Sequence, residues 1–379
     1  MLTRLSTERV SHLLRLFPAV TLVGPRQCGK TTLARTLSTR YFDMEAEGDR
    51  VRLDAEWDAL MHGTDLTIID EAQQAPEIFP RLRGAIDTDR KRNGRFLLLG
   101  SVSPGLMLNV SESLAGRMGI VRLSPLILPE LPVGQTDSLW LRGGYPDGGV
   151  LVPAMFPEWQ RSYLDLLVAR DLPGWGLAAR PSQNLRLLAM LAAVHGQPLN
   201  ASQLGSSMAL DHKTVLRHCD FFEQAFLLRR LSPFSVNHRK RLVKTPRLYW
   251  RDSGLLHALL DLGDDGAIES HPKVGASWEG FALDAVMNRL GALPEECYFW
   301  GTHSGAELDL LVVRGNVRLG FEFKRTTAPA PTRSMHVAVE DPRLSRVDIV
   351  HAGSRSFPMH PRIRAIALSR LLEDLQPLR

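Results

Sequence analysis

Cysteine is scarce in this chain, with three residues among 379. Cys28, Cys219 and Cys297 are widely spaced, and none belongs to a C-x-x-C pair. This spacing is typical of neither a disulfide framework nor a zinc site. So few cysteines suit a reducing compartment, and we expect a cytoplasmic location.

Apolar runs long enough to cross a bilayer are also lacking, since none approaches the roughly 20 residues that a spanning helix needs. Residues 1–18 do not have the pattern of a signal peptide and instead predict an amphipathic helix packed on the core. Hydrophobic residues make up 44% and charged residues 23%, which is ordinary for a globular protein with room for two or three domains. The net charge of +5 permits a nucleic-acid partner without requiring one.

What the sequence does contain is a phosphate-binding motif in residues 19–33. An apolar run leads into GPRQCGKT, which fits G-x-x-x-x-G-K-[ST] at every fixed position. A strand, a glycine-rich turn and a helix over residues 30–37 would direct backbone N–H groups and the positive helix end at a phosphate. Lys30 is expected to reach the β- and γ-phosphates of ATP, and the Thr31 hydroxyl to hold Mg²⁺. The predicted nucleotide-binding residues of this loop are Gly24, Pro25, Arg26, Gln27, Cys28, Gly29, Lys30, Thr31 and Thr32.

A second nucleotide motif follows downstream. Residues 66–71, LTIIDE, are an apolar run that ends in two carboxylates. Asp70 is expected to orient Mg²⁺, directly or through water, and Glu71 to polarise the attacking water. The alternative is an ordinary strand followed by a charged helix cap.

Two further residues complete the expected ATPase site. Residues 95–101 predict a buried strand with Ser101 at its tip, where a hydroxyl can sense the γ-phosphate. Arg117 is expected on a loop, where it would neutralise transition-state charge in cis or in trans, or else form a surface salt bridge. Strands alternating with helices predict an α/β domain over residues 1–130, with a parallel sheet covered on both faces.

A helical connector is predicted over residues 131–180. Proline and glycine are frequent in its first part, in segments such as GGYPDGG, and such residues interrupt regular structure. A helical stretch over residues 159–171 follows. It ends in Arg170 and Asp171, to which the sequence assigns no role.

Residues 181–260 predict a winged helix of three helices and a hairpin. Lys213 and Arg217 share one face of the third helix, and residues 224–251 hold eight Lys or Arg and no Asp or Glu. A basic helix and wing are typical of a nucleic-acid-binding module, and we expect DNA as the partner. The alternative is a module that packs on the ATPase domain with its charges merely solvated. The predicted DNA contacts are Lys213, Arg217, Arg239, Lys240 and Arg241.

Residues 270–379 predict a nuclease-like domain. A helix containing Glu279 precedes three strand-like runs, and alternation places Asp309 and Glu322 on neighbouring strands with Lys324 beside Glu322. This D-(x)n-E-x-K pattern is similar to the metal site of the restriction-endonuclease superfamily. The resemblance implies that Asp309 and Glu322, with Glu279, bind Mg²⁺ or Mn²⁺ and that Lys324 assists attack by water. The alternatives are a solvated strand edge and an inert nucleic-acid-binding core.

Several segments together carry a wider resemblance. GPRQCGKTTLA, IIDEAQ, LLLGS, SLAGR, GGYP and YWRDSGL resemble a prokaryotic family of two-part ATP-binding proteins. Its members pair an N-terminal AAA-type P-loop ATPase domain with a C-terminal restriction-endonuclease-like domain of unknown function. The resemblance spans nearly the whole chain and implies no particular substrate.

The combined expectation is an AAA-type protein that binds and hydrolyses ATP, acts on nucleic acid and has a metal-dependent nuclease site in its C-terminal domain. Its cofactors would be ATP and Mg²⁺, with Mn²⁺ as an alternative at the C-terminal site. Two other functions stay open: an ATP-switched DNA-binding regulator with an inactive nuclease-like domain, and an ATP-dependent protein remodeller. A membrane partner is not expected, and assembly into a homo-oligomer is compatible with the sequence.

Overall fold

The computed structural model describes residues 2–101, 113–177, 179–234, 245–302, 305–340 and 344–378. The predicted wing residues Arg239, Lys240 and Arg241 lie outside the described residues, and so does the side chain of Ser101. Within the described ranges, no helix combines the length and the apolar character needed to cross a membrane.

The N-terminal domain is built on a parallel sheet. Its strands are β1 (Ala19–Gly24), β2 (Tyr41–Asp43), β3 (Thr67–Asp70), β4 (Phe96–Ser101) and β5 (Met118–Arg122). They are arranged in the order β2-β3-β4-β1-β5, and every neighbouring pair is parallel. β1 lies inside the sheet and is buried along its whole length. The predicted α/β domain with a parallel sheet is therefore confirmed.

Helices cover both faces of this sheet, as buried parallel strands require. They are Ser6–Leu16, Lys30–Ala34, Glu47–His62 and Ile78–Thr88. Leu97 and Leu99 of β4 pack in one core with the first two helices, whereas Leu98 packs in another core with the last two. This division follows from the strand period of two. The predicted N-terminal amphipathic helix is also confirmed, since its Val10 and Leu13 are buried.

The connector is helical and ends in a local irregularity. Helices Thr136–Arg142 and Glu158–Leu166 are followed by a π-helical turn, Leu167–Asp171, and then by Leu172–Gly174. Pro173 has no N–H to donate to the carbonyl four residues earlier, so a regular α-helical hydrogen bond cannot form at this point. Single π turns in helices often occur at functional sites.

The middle segment contains the three helices and the two strands expected of the winged helix. The helices are Pro181–Ala193, Ala201–Met208 and His212–Gln224, and the strands are β6 (Leu228–Pro233) and β7 (Arg247–Trp250), which pair antiparallel. Asn200 and Asp211 cap the second and third helices by accepting hydrogen bonds from backbone N–H groups.

The hairpin of β6 and β7 continues into the C-terminal sheet, which the sequence did not predict. The further strands are β8 (Cys297–Gly301), β9 (Glu307–Arg314), β10 (Val317–Lys324), β11 (Arg346–His351), β12 (Phe357–His360) and β13 (Ile363–Ala367). The sheet order is β12-β13-β11-β10-β9-β8-β6-β7, and β6 pairs with β8 in parallel. One sheet therefore joins the middle and C-terminal segments.

A long helix packs on this mixed sheet and forms its principal core. The helices of this part are Ser253–Leu259, Asp265–Ser270, Val274–Leu290, Arg333–Glu340 and Leu371–Asp374. Leu283 and Val286 of the helix Val274–Leu290 lie in one buried cluster with Phe321 of β10 and with Trp140 of the connector. The connector is therefore packed against the C-terminal domain.

Candidate functional site

The phosphate loop adopts a sharply turned backbone conformation that depends on its glycines. A Cβ atom on Gly24 would lie 2.3 Å from the carbonyl oxygen of Leu123, so only glycine fits there. Gly29 has φ 94° and Gln27 has φ 59°, both in the left-handed region. The loop between β1 and the helix Lys30–Ala34 is therefore the sharply turned anion-binding type that the motif predicts.

Lys30 is buried and forms two hydrogen bonds within this loop. Its Nζ donates to the carbonyl oxygens of Gly24 at 3.1 Å and of Pro25 at 2.9 Å. Carbonyl oxygens are neutral acceptors, so phosphate oxygens would be stronger partners for the ammonium group. The geometry suits a lysine that can exchange loop carbonyls for a phosphate.

Thr31 and Asp70, the two predicted Mg²⁺ ligands of the ATPase domain, are in direct contact. The Thr31 hydroxyl donates to Asp70 Oδ2 at 2.6 Å, and the Tyr41 hydroxyl donates to the same oxygen at 2.8 Å. The other oxygen, Oδ1, accepts from the Glu71 N–H at 2.9 Å. Burial and the Asp70 carboxylate raise the pKa of Tyr41, so its hydroxyl keeps the proton that it donates. The sequence did not identify Tyr41 because β2 carries no nucleotide motif.

Glu71 lies at the end of β3 in a strained conformation. Its φ of 47° is in the left-handed region, which is unusual for a residue other than glycine and is common at functional sites. Gln73 donates to its carboxylate. Burial raises the pKa of Glu71, while Lys30 acts in the opposite direction. These are the properties of a carboxylate that can accept a proton from water.

Arg117 forms its side-chain contacts away from the phosphate loop. Its guanidinium forms a two-point contact with Asp87 at 2.8 and 2.9 Å, and it is absent from the residues that line the cavity beside the phosphate loop. The surface salt bridge, one of the two alternatives from the sequence, is the arrangement within the described residues. A role as a finger in trans stays a prediction.

The connector forms the second wall of the phosphate cavity, and this contribution was missed from the sequence. The cavity has a volume of about 430 Å³. Its walls are Arg26, Gln27, Gly29, Lys30, Thr31, Thr32 and Glu71 on one side, and Pro146, Asp147, Tyr163, Leu166, Arg170 and Asp171 on the other. Pro146 of the GGYP segment and the Arg170–Asp171 pair, to which the sequence assigned no chemical role, therefore belong to this site. No local motif could have revealed a contact across so much of the chain.

An apolar groove adjoins the phosphate cavity. It has a volume of about 410 Å³ and shares Gly29, Thr32 and Pro146 with that cavity. Its apolar wall is formed by Leu2, Leu33, Leu126, Pro146 and Leu151. Arg4 also lines the groove, and its guanidinium donates a hydrogen bond to the Cys28 carbonyl oxygen at 2.7 Å. An apolar groove beside a phosphate loop can receive a nucleoside base.

The predicted C-terminal residues converge at one end of β9 and β10. Asp309 and Glu322 are both buried, and Asp309 accepts from the Phe323 N–H at 2.9 Å. Lys324 Nζ lies 2.7 Å from Glu322. Glu279 approaches from the helix Val274–Leu290. The two strand carboxylates therefore lie at one end of the sheet with Glu279 near them, and their role as metal ligands stays a prediction.

Two residues of β7 enter this cluster and were missed from the sequence. Arg247 Nη1 lies 3.5 Å from Asp309 and also contacts Glu307, while the Tyr249 hydroxyl donates to Glu279 at 2.7 Å. β7 reaches the cluster because its hairpin continues the C-terminal sheet. The sequence offered no signal for this, since Arg247 was counted only as part of the basic region over residues 224–251 and Tyr249 belongs to no metal-site motif.

The electrostatics of the cluster favour protons or cations. Burial and repulsion by Asp309 raise the pKa of Glu279 to about 8 and that of Glu322 to about 7. Burial also raises the pKa of Asp309. Glu322 Oε2 is buried with no hydrogen-bond partner among the described residues. Among all the residues that the structure describes, no three His, Cys, Asp or Glu side chains are grouped tightly enough to hold a metal ion.

The basic residues of the middle segment divide into two groups. Arg229 pairs with Asp284 at 2.8 Å and Arg230 with Glu223 at 2.5 Å. These charges are therefore neutralised within the protein. Lys213 and Arg217, on the third helix, are exposed and form no ion pair with any described residue.

Comparisons with known protein families divide the chain into three parts. Residues 16–131 match a family model described as an AAA domain. Residues 134–266 and 274–371 match models described as domains of unknown function, DUF8612 and DUF4143 respectively. The N-terminal domain is thus an AAA-type P-loop ATPase domain.

Whole-chain relatives occur in mycobacteria. "Uncharacterized protein Rv2008c" of Mycobacterium tuberculosis is 39% identical over 375 residues, covering 97% of this chain and 84% of that protein. "Uncharacterized protein Mb2031c" of Mycobacterium bovis has the same identity and coverage.

Solved structures give weaker likenesses. A point variant of RuvB from Thermotoga maritima is 18% identical, with coverage of 60% of this chain and 90% of that chain and a TM-score of 0.28. AMPPCP-bound DnaA of Aquifex aeolicus is 14% identical, with coverage of 57% and 85% and a TM-score of 0.26. Similarities of this size carry no argument about function.

Proposed function

The chain belongs to the family of the two mycobacterial proteins, and on that premise we propose that it is an ATPase that acts on nucleic acid. The observation that carries the proposal is the contact between Thr31 and Asp70 at 2.6 Å beside the buried Lys30. This contact unites the two nucleotide motifs in one site. A phosphate loop joined to a carboxylate in this way serves phosphoryl transfer.

The residues around the loop fit a nucleoside triphosphate. Gly24 packs against the Leu123 carbonyl with no room for a side chain, and Lys30 and Arg26 of the loop supply positive charge. Thr31 and Asp70 would hold Mg²⁺, which would neutralise charge on the phosphates. Glu71 would accept the proton of the attacking water, since burial makes its carboxylate more basic.

Nucleic-acid binding by the middle segment rests on its third helix. Lys213 and Arg217 lie four residues apart and are exposed without ion-pair partners among the described residues. Such side chains can contact phosphates at little cost, because no internal partner has to be given up. The arginines at positions 229 and 230 are excluded from this role by their internal ion pairs.

The C-terminal cluster would be the site of phosphodiester hydrolysis. Its buried carboxylates and the unpartnered Glu322 Oε2 fit a hard divalent cation. No three carboxylates among the described residues are close enough to hold a metal ion, so Asp309, Glu322 and Glu279 would have to draw together around Mg²⁺ or Mn²⁺, which would supply a Lewis acid for the phosphate. Lys324 would steady the charge on the phosphate.

A second candidate function is an ATP-switched DNA-binding regulator with an inert C-terminal site. It is favoured by the contacts of Arg247 with Asp309 and of Lys324 with Glu322. These cations already neutralise part of the cluster. In that case the carboxylates would be structural.

The test is incubation of the full chain with DNA and with RNA, with and without ATP, in Mg²⁺ and in Mn²⁺. Metal-dependent cleavage that is lost in Asp309→Asn supports the nuclease. Salt-dependent binding without cleavage supports the regulator. Absence of both would contradict action on nucleic acid and leave a protein substrate as the alternative.

A further inference from the structure

Arg26 of the phosphate loop is held by a residue of the connector. Its Nε lies 3.3 Å from Asp171 Oδ2, and its Nη2 lies 3.6 Å from Glu45. The Arg26 side chain is 24% exposed, whereas that of Asp171 is 7% exposed. The Arg26–Asp171 ion pair therefore links the phosphate loop to the connector at the wall of the phosphate cavity.

Asp171 is bound by cavity arginines on both of its oxygens. Oδ1 accepts from Arg170 Nε at 3.1 Å, while Oδ2 faces Arg26. Both arginines line the phosphate cavity. Arg170 is itself 63% exposed, so it is free to take another anionic partner.

A bound triphosphate would compete with Asp171 for these two arginines. Asp171, Glu71 and Asp147 place three carboxylates on the cavity wall, and a γ-phosphate would add further negative charge. Like charges at short range repel, whereas the guanidinium groups of Arg26 and Arg170 prefer the phosphate, which offers more oxygens and more charge. Asp171 and the γ-phosphate therefore compete for the same cations.

We propose that the Arg26–Asp171 pair is a latch that ATP, but not ADP, opens. The γ-phosphate takes Arg26 and Arg170, and Asp171 moves out with the turn Leu167–Asp171. This inference rests on the proposed nucleotide function and assigns Arg170 and Asp171 a part in distinguishing ATP from ADP.

Movement of Asp171 on opening of the latch would be transmitted to the middle segment. Leu172 is fully buried directly after Asp171 and lies in one core with Leu187 and Leu188 of the helix Pro181–Ala193. Asp171 therefore lies between the phosphate loop, through Arg26, and the core of the middle segment, through Leu172.

Binding of AMPPCP and of ADP to the full chain in Mg²⁺ tests the latch by titration calorimetry. Asp171→Asn keeps the side-chain shape and removes the competing charge. We expect it to raise the affinity for AMPPCP about fivefold, the value for one modest ion pair, and to change that for ADP less than twofold. Arg170→Ala should lower the affinity for AMPPCP alone. Asp165→Asn, an exposed acid on the preceding helix, is the matched control and should change neither affinity.

Hydrogen exchange provides a second measurement that does not depend on affinity. AMPPCP, but not ADP, should speed amide exchange over residues 167–176 of the wild type, and Asp171→Asn should show the faster exchange without nucleotide. An unchanged ratio of the two affinities in Asp171→Asn, or equal weakening of both, would overturn the latch while leaving nucleotide binding intact. Failure of the wild type to bind either nucleotide would overturn the proposed function and the latch together.

Discussion

Replacing Glu279 by glutamine should stabilise the protein at neutral pH. Glu279 lies in a buried cluster with Asp309 and Glu322, and its pKa is raised from 4.5 to about 8 by burial and by repulsion from Asp309. A glutamine has nearly the same shape and can still accept the hydrogen bond from Tyr249. It removes a carboxylate that the folded protein can ionise only at a cost.

The sign and the size of the effect follow from proton linkage. A carboxyl group whose folded pKa is raised contributes stability below its unfolded pKa, and that stability is lost as the pH rises toward the folded pKa. The window here extends from pH 4.5 to about 8. At about 1.4 kcal/mol per pH unit, the loss at pH 7 would be roughly 3 kcal/mol for an isolated group. Because Glu279 is coupled to Asp309, we expect Glu279→Gln to be more stable by about 2 kcal/mol at pH 7.

The assay is urea unfolding of the full chain at pH 5 and at pH 8 in the presence of a chelator. The difference between the variant and the wild type isolates the cluster, since the buried His195 and His257 titrate alike in both. The stability advantage of Glu279→Gln should grow between the two pH values. Glu295→Gln, an exposed acid in the same domain, should show no such growth. An advantage that is absent, or that shrinks with pH, would refute the reasoning.

Two further predictions concern the proposed partners. Lys213→Glu with Arg217→Glu should weaken DNA binding and flatten the plot of log affinity against log salt by roughly 0.9 for each lost phosphate contact; an unchanged slope in fluorescence anisotropy would contradict the assignment. Mn²⁺ should raise the Tm of the full chain by binding the folded state, and Asp309→Ala should abolish that rise; scanning fluorimetry that shows equal shifts in both proteins would argue against a metal site.

The ATPase site could be predicted because its chemistry is local. The sequence GPRQCGKT predicts a turn, a strand before it and a helix after it, and Asp70 ends an apolar run that predicts a buried strand. Only β4 separates β1 from β3, so the carboxyl ends of both strands, and with them Thr31 and Asp70, lie at one edge of the parallel sheet. Tyr41 was missed because a tyrosine at the start of a short strand has no distinguishing pattern.

The connector and the hairpin could not be predicted, because their positions depend on contacts across the chain. Asp171 meets Arg26 only after the intervening sheet has folded, and neither residue has a motif that specifies the other. β6 pairs with β8, which follows it by about 65 residues, so the sequence placed the hairpin in a separate domain. Arg229 and Arg230 were likewise counted as part of a basic surface, because charge counts along the sequence do not show which acidic residues these arginines pair with in the fold.

The most direct test of the central claim is Mg²⁺-dependent release of phosphate from ATP, measured beside equilibrium ATP binding. The wild type should bind ATP and release phosphate slowly, and Lys30→Ala should bind no ATP. Glu71→Gln should bind ATP as the wild type does while release falls by about a hundredfold or more, the typical contribution of a general base. Unchanged release in Glu71→Gln, or no release by the wild type, would contradict the account.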